Sequence, residues 1–316
     1  MDLFEQKAIK PMLISELTSP FNSEDWIYEL KLDGIRCLAY LDAVHTELRN
    51  KRNMNLTPKF PELSSIHTSV KGKCILDGEL IVLKNGVPDF YELQRRVMLS
   101  DTFKIQLGYT KHPASYVAYD LIYLNGEDMT GYPLLERKQL LQNIIVENDT
   151  LAISRYIETR GIELYQVAEQ QKLEGVVAKR KDSKYYFDKR SKDWLKFKRL
   201  VDEDFVICGY QPNESKSYTL ILGQYRADTL IYKGSVSFGV KTSFLQEYNL
   251  TRIDDSPFTL TPSGHDDVTW LKPELVCVVE YMPNTKDALR QPVFKGIRDD
   301  VLPTDCQIKN PHNPSM

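Results

Sequence analysis

Short runs in which β-branched and aromatic residues alternate with polar ones recur along residues 1–200. The runs WIYELK (26–31), IRCLAYL (35–41), CILDGELIVL (74–83), SYVAYDLIYL (115–124), GVVAK (175–179) and WLKFK (194–198) predict strands. Three stretches carry a helical period instead: 89–99, 134–147 and 161–173. In the second, Leu134, Leu141, Ile144 and Ile145 fall near one face. Strands and helices mix without regular βαβ alternation, so the pattern predicts an α+β domain with mainly antiparallel sheets.

The character changes near Leu200–Glu203. Strand-like runs then dominate, at 204–210, 218–226, 229–240 and 275–282, with turns carrying Gly, Asn, Asp and Pro and one short helical stretch at 243–249. About five strands in roughly 110 residues predict a small β-barrel of the OB type, although a helix-poor sandwich has the same pattern. The expected domains are 1–200 and 201–316. No internal repeat or low-complexity segment interrupts them.

Length and composition agree with this picture. The chain has 316 residues, enough for two cores, and 42% hydrophobic with 27% charged residues suits a folded chain rather than a disordered one. No apolar run approaches the ~18–20 residues that cross a bilayer, and MDLFEQKAIKPML lacks the layout of a signal peptide. A cytoplasmic location without membrane contact is expected. The five cysteines, Cys37, Cys74, Cys208, Cys277 and Cys306, are odd in number, far apart and without a C-x-x-C pair. They read as buried reduced thiols, not as a zinc site or disulfide framework.

A formal net charge of −3 does not mark a nucleic-acid binder, but its distribution matters more. Residues 179–199 hold ten Lys/Arg against three Asp, with Tyr185, Tyr186, Phe187, Trp194 and Phe197 among them. Interleaved cations and aromatics suit a phosphate-lined surface; a solvated face is the plain alternative.

The sharpest local feature is Lys31, in a strand-like run that ends at a glycine turn. Alone, K-x-D-G is most simply a solvent-facing lysine. Here it heads an ordered series: KLDGIR at 31–36, DGELIVL at 77–83, YVAYDLIYL at 116–124, EGVVAKR at 174–180 and WLKFK at 194–198. The series resembles the covalent nucleotidyltransferase superfamily of ATP-dependent DNA ligases, RNA ligases and mRNA capping enzymes. It is most similar to the bacterial ATP-dependent DNA ligases, including the ligase module of ligase D, with LTPKFPEL (56–63) and LRQPVFKGIRDD (289–300) supporting that branch.

The resemblance implies a transferase domain over 1–200, an OB-fold domain over 201–316, and nick sealing in duplex DNA through a lysyl-AMP and a DNA-adenylate. Lys31 would attack the α-phosphate of ATP. A free lysine has a pKa of ~10.4, so the site must favour the neutral amine. Lys196 and Lys198, two apart on a strand, share a face and would both do this and neutralise the phosphate. Glu29 would read the adenine edge, Tyr119 would stack on the base, and Glu79 would take the ribose hydroxyls. Glu174, with a share from Glu79, would hold Mg²⁺ or Mn²⁺. Arg36 would meet the nucleotide, and phosphate or sugar at the nick. Lys51 stands where the family carries an arginine that touches nucleotide or nick phosphate, with Arg49 and Arg52 beside it. Arg36, Arg49, Arg52, Lys179, Arg180 and Arg298 form the expected DNA-contacting set. The terminal motif reads RDDV at 298–301, with Val301 where a lysine is usual.

Two rivals accompany this reading: the same chemistry on RNA ends or caps, and a binding module on a degenerate transferase. A capping enzyme would be labelled by GTP, an RNA ligase commonly carries another C-terminal domain than an OB barrel, and the binding module would form no adduct. The expected partners are nicked duplex DNA and a Ku-like end-binding protein, the expected state is a monomer, and replication, repair and recombination all stand open as pathways.

Overall fold

The computed structural model describes residues 2–308 apart from 17–18, 172, 199, 214–216, 249, 261–266 and 283–287. They fall into two units, Met1–Lys198 and Arg199–Met316. The first contains strands β1 Leu13–Glu16, β2 Ser23–Leu30, β3 Ile35–Leu41, β4 Thr46–Asn50, β5 Cys74–Lys84, β6 Val87–Pro88, β7 Ala114–Leu124, β8 Glu127–Asp128, β9 Leu151–Ile153, β10 Tyr156–Thr159, β11 Gly175–Arg180 and β12 Arg190–Lys198. Its helices are α1 Leu3–Gln6, α2 Phe90–Met98, α3 Thr102–Lys111, α4 Leu134–Ile144 and α5 Gly161–Gln170.

One sheet has the order β1-β12-β11-β2-β10, antiparallel except for β1 on β12. The other runs β4-β3-β5-β7-β8, with β6 added to β5 and β9 parallel to β7. Alternation along the strands then makes three apolar layers. Ile27, Leu38, Tyr40, Ile75, Ile122 and Trp194 pack in one cluster between the sheets. Ala168 of α5 covers Val176, Ala178 and Phe197 on the outer face of the first sheet. Leu76, Leu80, Tyr116, Leu141 and Ile144 pack on the outer face of the second.

The mainly antiparallel α+β character expected for this region is therefore present. Helices were expected at 89–99, 134–147 and 161–173, and α2, α4 and α5 lie within those bounds; Lys172 is outside the described residues. Helix α3 was not expected, because TFKIQLGYTK has no clear apolar stripe: only Ile105 and Gly108 are buried. Asp101 caps it by accepting the Lys104 N–H at 2.8 Å. The LTPKFPEL segment is structural here. Its Glu62 accepts from Arg96 of α2, with a 3.1 Å bond to Nη2, and from the Ala114 N–H at 2.8 Å.

The second unit contains β13 Val201–Pro212, β14 Tyr218–Arg226, β15 Thr229–Val236, α6 Phe244–Glu247, β16 Thr269–Met282 and β17 Arg290–Arg298. The sheet order is β15-β14-β13-β16-β17, antiparallel throughout. Among the described residues β15 and β17 share no ladder, but the Phe294 N–H donates to Phe238 C=O, just past β15, at 2.9 Å. Phe205, Ile207, Leu220, Leu222 and Phe244 form one core, and Val206, Cys208, Ile221, Phe258 and Cys306 a second. The short helix expected at 243–249 is α6; Asn249 lies outside the described residues. Strand β17 was not expected: Pro292 and Gly296 interrupt its pattern, and an edge position tolerates both. All five cysteines are buried and free, as expected.

Candidate active site

The position of Lys31 follows from strand register. Leu30 at the end of β2 faces Val176 of β11, and the next amide, Lys31 N–H, donates to Gly175 C=O at 2.9 Å. This brings Lys31 Nζ to 2.8 Å from Glu174 Oε2, where the Glu174 side chain is 6% exposed. Two glycines make the approach possible. Gly175 has φ +144°, and a Cβ there would lie 1.9 Å from Phe197 O. A Cβ on Gly34 would lie 2.2 Å from Leu80 O and 2.7 Å from Glu79 Cγ. The glycine of KLDG therefore lets the chain after Lys31 pass against β5.

The second sheet supplies the opposite wall. Arg36 and Glu79 are direct cross-strand partners on β3 and β5. A cavity of about 160 Å³ is lined by Glu29, Lys31, Val177, Lys179 and Trp194 from the first sheet and its margin, and by Arg36, Glu79 and Tyr119 from the second. Ile14, Leu30, Leu32 and Ser154 complete it. Lys196 shares a cross-strand row with Val177 and Glu29, and Lys198 stands opposite Gly175. Both lysines therefore lie on the cavity side of β12, on the same face as Trp194.

The cavity holds several charges out of water. Glu29, 2% exposed, accepts from Lys179 Nζ at 3.2 and 3.1 Å and from Ser154 Oγ at 2.9 Å, and pairs with Lys138 Nζ at 2.6 Å. Burial works against its charge, but the two lysines outweigh it and hold the carboxyl below its usual range. Lys179 lies over the rings of Tyr119 and Trp194, 4.5 and 4.2 Å from their centroids. Burial, with Lys138 nearby, brings it down to about 8 against the pull of Glu29. Arg36 forks onto Asp77, Nε to Oδ1 at 3.0 Å and Nη2 to Oδ2 at 2.6 Å, and Tyr185 OH donates to the same carboxylate at 2.7 Å.

Glu79 is pushed up to about 8, first by burial and then by Glu174 and Asp77 as like charges, against Lys31 and Arg36. A carboxyl raised in the folded state adds stability that is complete below its unfolded value and lost as pH rises through its folded one. The metal- and nucleotide-free protein is expected to lose stability from about pH 4.5 to 8 on this account. Urea unfolding across that window should show a slope that Glu79→Gln flattens; an unchanged slope in the variant would refute it.

The structure brings some of the expected site residues together and leaves others apart. Lys31, Glu29, Arg36, Glu79 and Tyr119 converge on the cavity, with Glu174 on Lys31. Lys179 is a correction. Expected at DNA, it is 2% exposed inside the cavity, because alternation on β11 turns it inward and Arg180 outward. Nor is the 179–199 run one basic face. Trp194 and Phe197 are core, Arg180 forks onto Asp182 at 3.1 and 2.9 Å, and Lys181 pairs with Glu158 at 2.5 Å. Arg36, expected at the nucleotide and at the nick, lines the cavity and forks onto Asp77. Arg49, bound to Glu47 at the end of β4, and the exposed Lys51 and Arg52 after it do not line the cavity. Arg298, in the second unit, forks onto Asp300 at 2.6 and 2.7 Å.

Sequence reading did not assign Asp77, Tyr185, Asp120, Arg137 or Lys138. The signal for the last two was present: they occupy the positions between Leu134 and Leu141 that an apolar stripe would fill.

Residues 7–198 match the family model described as the ATP dependent DNA ligase domain, and 213–301 that of the ATP dependent DNA ligase C terminal region. The chain is 32% identical over 323 residues to the multifunctional non-homologous end joining protein LigD of Pseudomonas aeruginosa, spanning 97% of this chain and 37% of that protein. It is 29% identical over 292 residues to the SPbeta prophage-derived DNA ligase-like protein LigB of Bacillus subtilis, spanning 92% and 99% respectively. In structure it resembles a mycobacterial DNA ligase D complexed with ATP and MES, with TM-score 0.57 and 26% identity, over 96% of this chain and 99% of that one. No helix among the described residues is long and apolar enough to cross a membrane.

Proposed function

Because the chain belongs to the ATP-dependent DNA ligases, we propose that it takes AMP from ATP onto Lys31 and uses it to seal 3′-OH/5′-phosphate nicks in duplex DNA. The observation that carries this reading is the Lys31–Glu174 contact of 2.8 Å at a cavity shared with Glu79 and Tyr119. Lys31 Nζ forms the bond to the α-phosphorus as the bond to pyrophosphate breaks. The ammonium must first give up a proton, and Glu174 Oε2 is within hydrogen-bond distance to take it. Lys196 and Lys198 balance charge on the α-phosphate. Tyr119 stacks on the adenine, Glu29 meets its amino edge and Glu79 the ribose. AMP then passes to the 5′-phosphate of the nick, and the 3′-hydroxyl displaces it.

The donor set fits a divalent ion that arrives with the nucleotide. Glu79 and Glu174 are hard oxygen ligands whose charges repel one another. Among the described residues no three His, Cys, Asp or Glu side chains cluster as a metal site. Mg²⁺ held by one or two carboxylates and substrate phosphates needs no more. When bound it neutralises phosphate charge.

The second unit supplies an OB-type barrel in this reading, its outer strands approaching at Phe294 and Phe238. Arg49, Lys51, Arg52, Arg180 and Arg298 serve the nucleotide or DNA phosphates. The end-joining names of LigD relatives favour work at DNA breaks, and a Ku-like end-binding protein is the proposed partner there. A nicked duplex with a labelled 5′-phosphate tests the assignment. The AMP-loaded protein should convert it to continuous strand, and less so by about tenfold or more as salt rises from about 50 to 200 mM. Discharge by nicked RNA but not nicked DNA would overturn the substrate.

A further inference from the structure

The buried face of α4 is Leu134, Arg137, Lys138, Leu141 and Ile144, so two cations occupy the core stripe of a helix. Arg137 bonds Asp120, the neighbour of Tyr119, through Nε and Nη2 at 2.8 Å each. Lys138, 2% exposed, sets its Nζ 2.6 Å from Glu29 Oε1 and 5.3 Å from the ring centroid of Tyr156. Tyr156 is the cross-strand neighbour of Glu29. Lys138 does not line the cavity; it touches the lining at Glu29.

Glu29 therefore has two ammonium partners, Lys138 behind it and Lys179 in the cavity. A nucleotide entering the cavity would compete for Lys179, which lines it. Were Lys179 the sole counter-ion, its departure would leave a buried carboxylate unpaired, which is costly and favours protonation. A protonated carboxyl no longer distinguishes donors from acceptors, whereas an ionised one accepts from a 6-amino group and repels a 6-oxo group.

We propose that Lys138 is a positioning residue for nucleobase selection: it keeps Glu29 ionised and fixed at the cavity, and so sets the preference for 6-amino over 6-oxo purine nucleotides. The proposal rests on Glu29 reading the base.

The test is adduct formation by the full chain with ATP and with inosine triphosphate, followed by intact mass. Lys138→Met should lower the ATP/inosine preference about tenfold, mainly through KM for ATP, while Lys138→Arg keeps most of it. Should Lys138→Met alone not accumulate as folded protein, Glu29→Gln with Lys138→Met removes both charges. That pair should show the preference of Glu29→Gln alone, since Lys138 has nothing to hold once the carboxylate is gone. A wild-type preference in Lys138→Met, or a further tenfold loss in the Glu29→Gln background, would overturn the proposal. If Glu29→Gln itself keeps the wild-type preference, the base-reading role of Glu29 fails first and the proposal falls with it.

Discussion

Lys31→Ala is expected to abolish the AMP adduct. With ATP and Mg²⁺ and no DNA, the wild-type protein should gain one AMP by intact mass, and the variant should gain none. Loss of a covalent nucleophile lowers such a step by about four orders of magnitude or more. Lys31→Arg should fail as well, because a guanidinium stays protonated and is no nucleophile. The variant must be shown to be folded, since Glu174, with a 6% exposed side chain, loses its cation. Sealing of pre-adenylated nicked DNA provides that control and a second readout: it bypasses the lysine, so Lys31→Ala should retain it. A variant that still acquires AMP would move the nucleophile elsewhere. A wild type that acquires none but seals the pre-adenylated nick would place the defect in the first step, where Val301 replaces the usual lysine of the terminal motif.

The largest loss of stability is expected from Arg137→Met. Arg137 and Asp120 are both fully buried, joined by two bonds of 2.8 Å. Arg137 also donates to Ser183 C=O at 2.9 Å and to Tyr132 C=O at 2.5 Å, tying α4 to the segment before β12. Burial opposes the arginine's charge, yet Asp120 outweighs it and holds the guanidinium above its usual value. Removing one partner leaves a buried carboxylate with no counter-charge, at a cost of about 3–5 kcal/mol. Asp120→Asn with Arg137→Met should recover part of this, because no net charge is then stranded. Urea unfolding of both variants measures the difference. A single-variant loss under about 1 kcal/mol would show that another cation or water takes the place of Arg137.

Much of the site was legible before any coordinates. KLDG, DGEL, YD, EGVVAK and WLKFK each carry a charged residue at a turn or inside an apolar run, where a buried charge needs a purpose. Strand parity then placed Lys196 with Lys198. The same parity applied to KR at 179–180 separates the two residues, but the local excess of cations hid it, and Lys179 was grouped with the surface. The Arg36–Asp77 pairing was hidden for a different reason: the two are distant in sequence, and they meet only because β3 and β5 lie side by side. The outer strands of the second unit show a further limit, since Pro292 and Gly296 break the pattern at an edge that needs few ladder bonds.

By itself the sequence determined the strands that carry the site, among them β2, β3, β5, β7, β11 and β12, with the residue types at the cavity and the order of the chemical motifs, because these depend on local alternation and on turns that only glycine permits. The tertiary structure decided which charge meets which: Lys31 with Glu174, Arg36 with Asp77, Glu29 with Lys138 and Lys179. Each pair spans 41 residues or more, so no local pattern encodes it. Whether a buried charge becomes a reactive group, a brace or a base reader depends on the partner that the sheets bring to it.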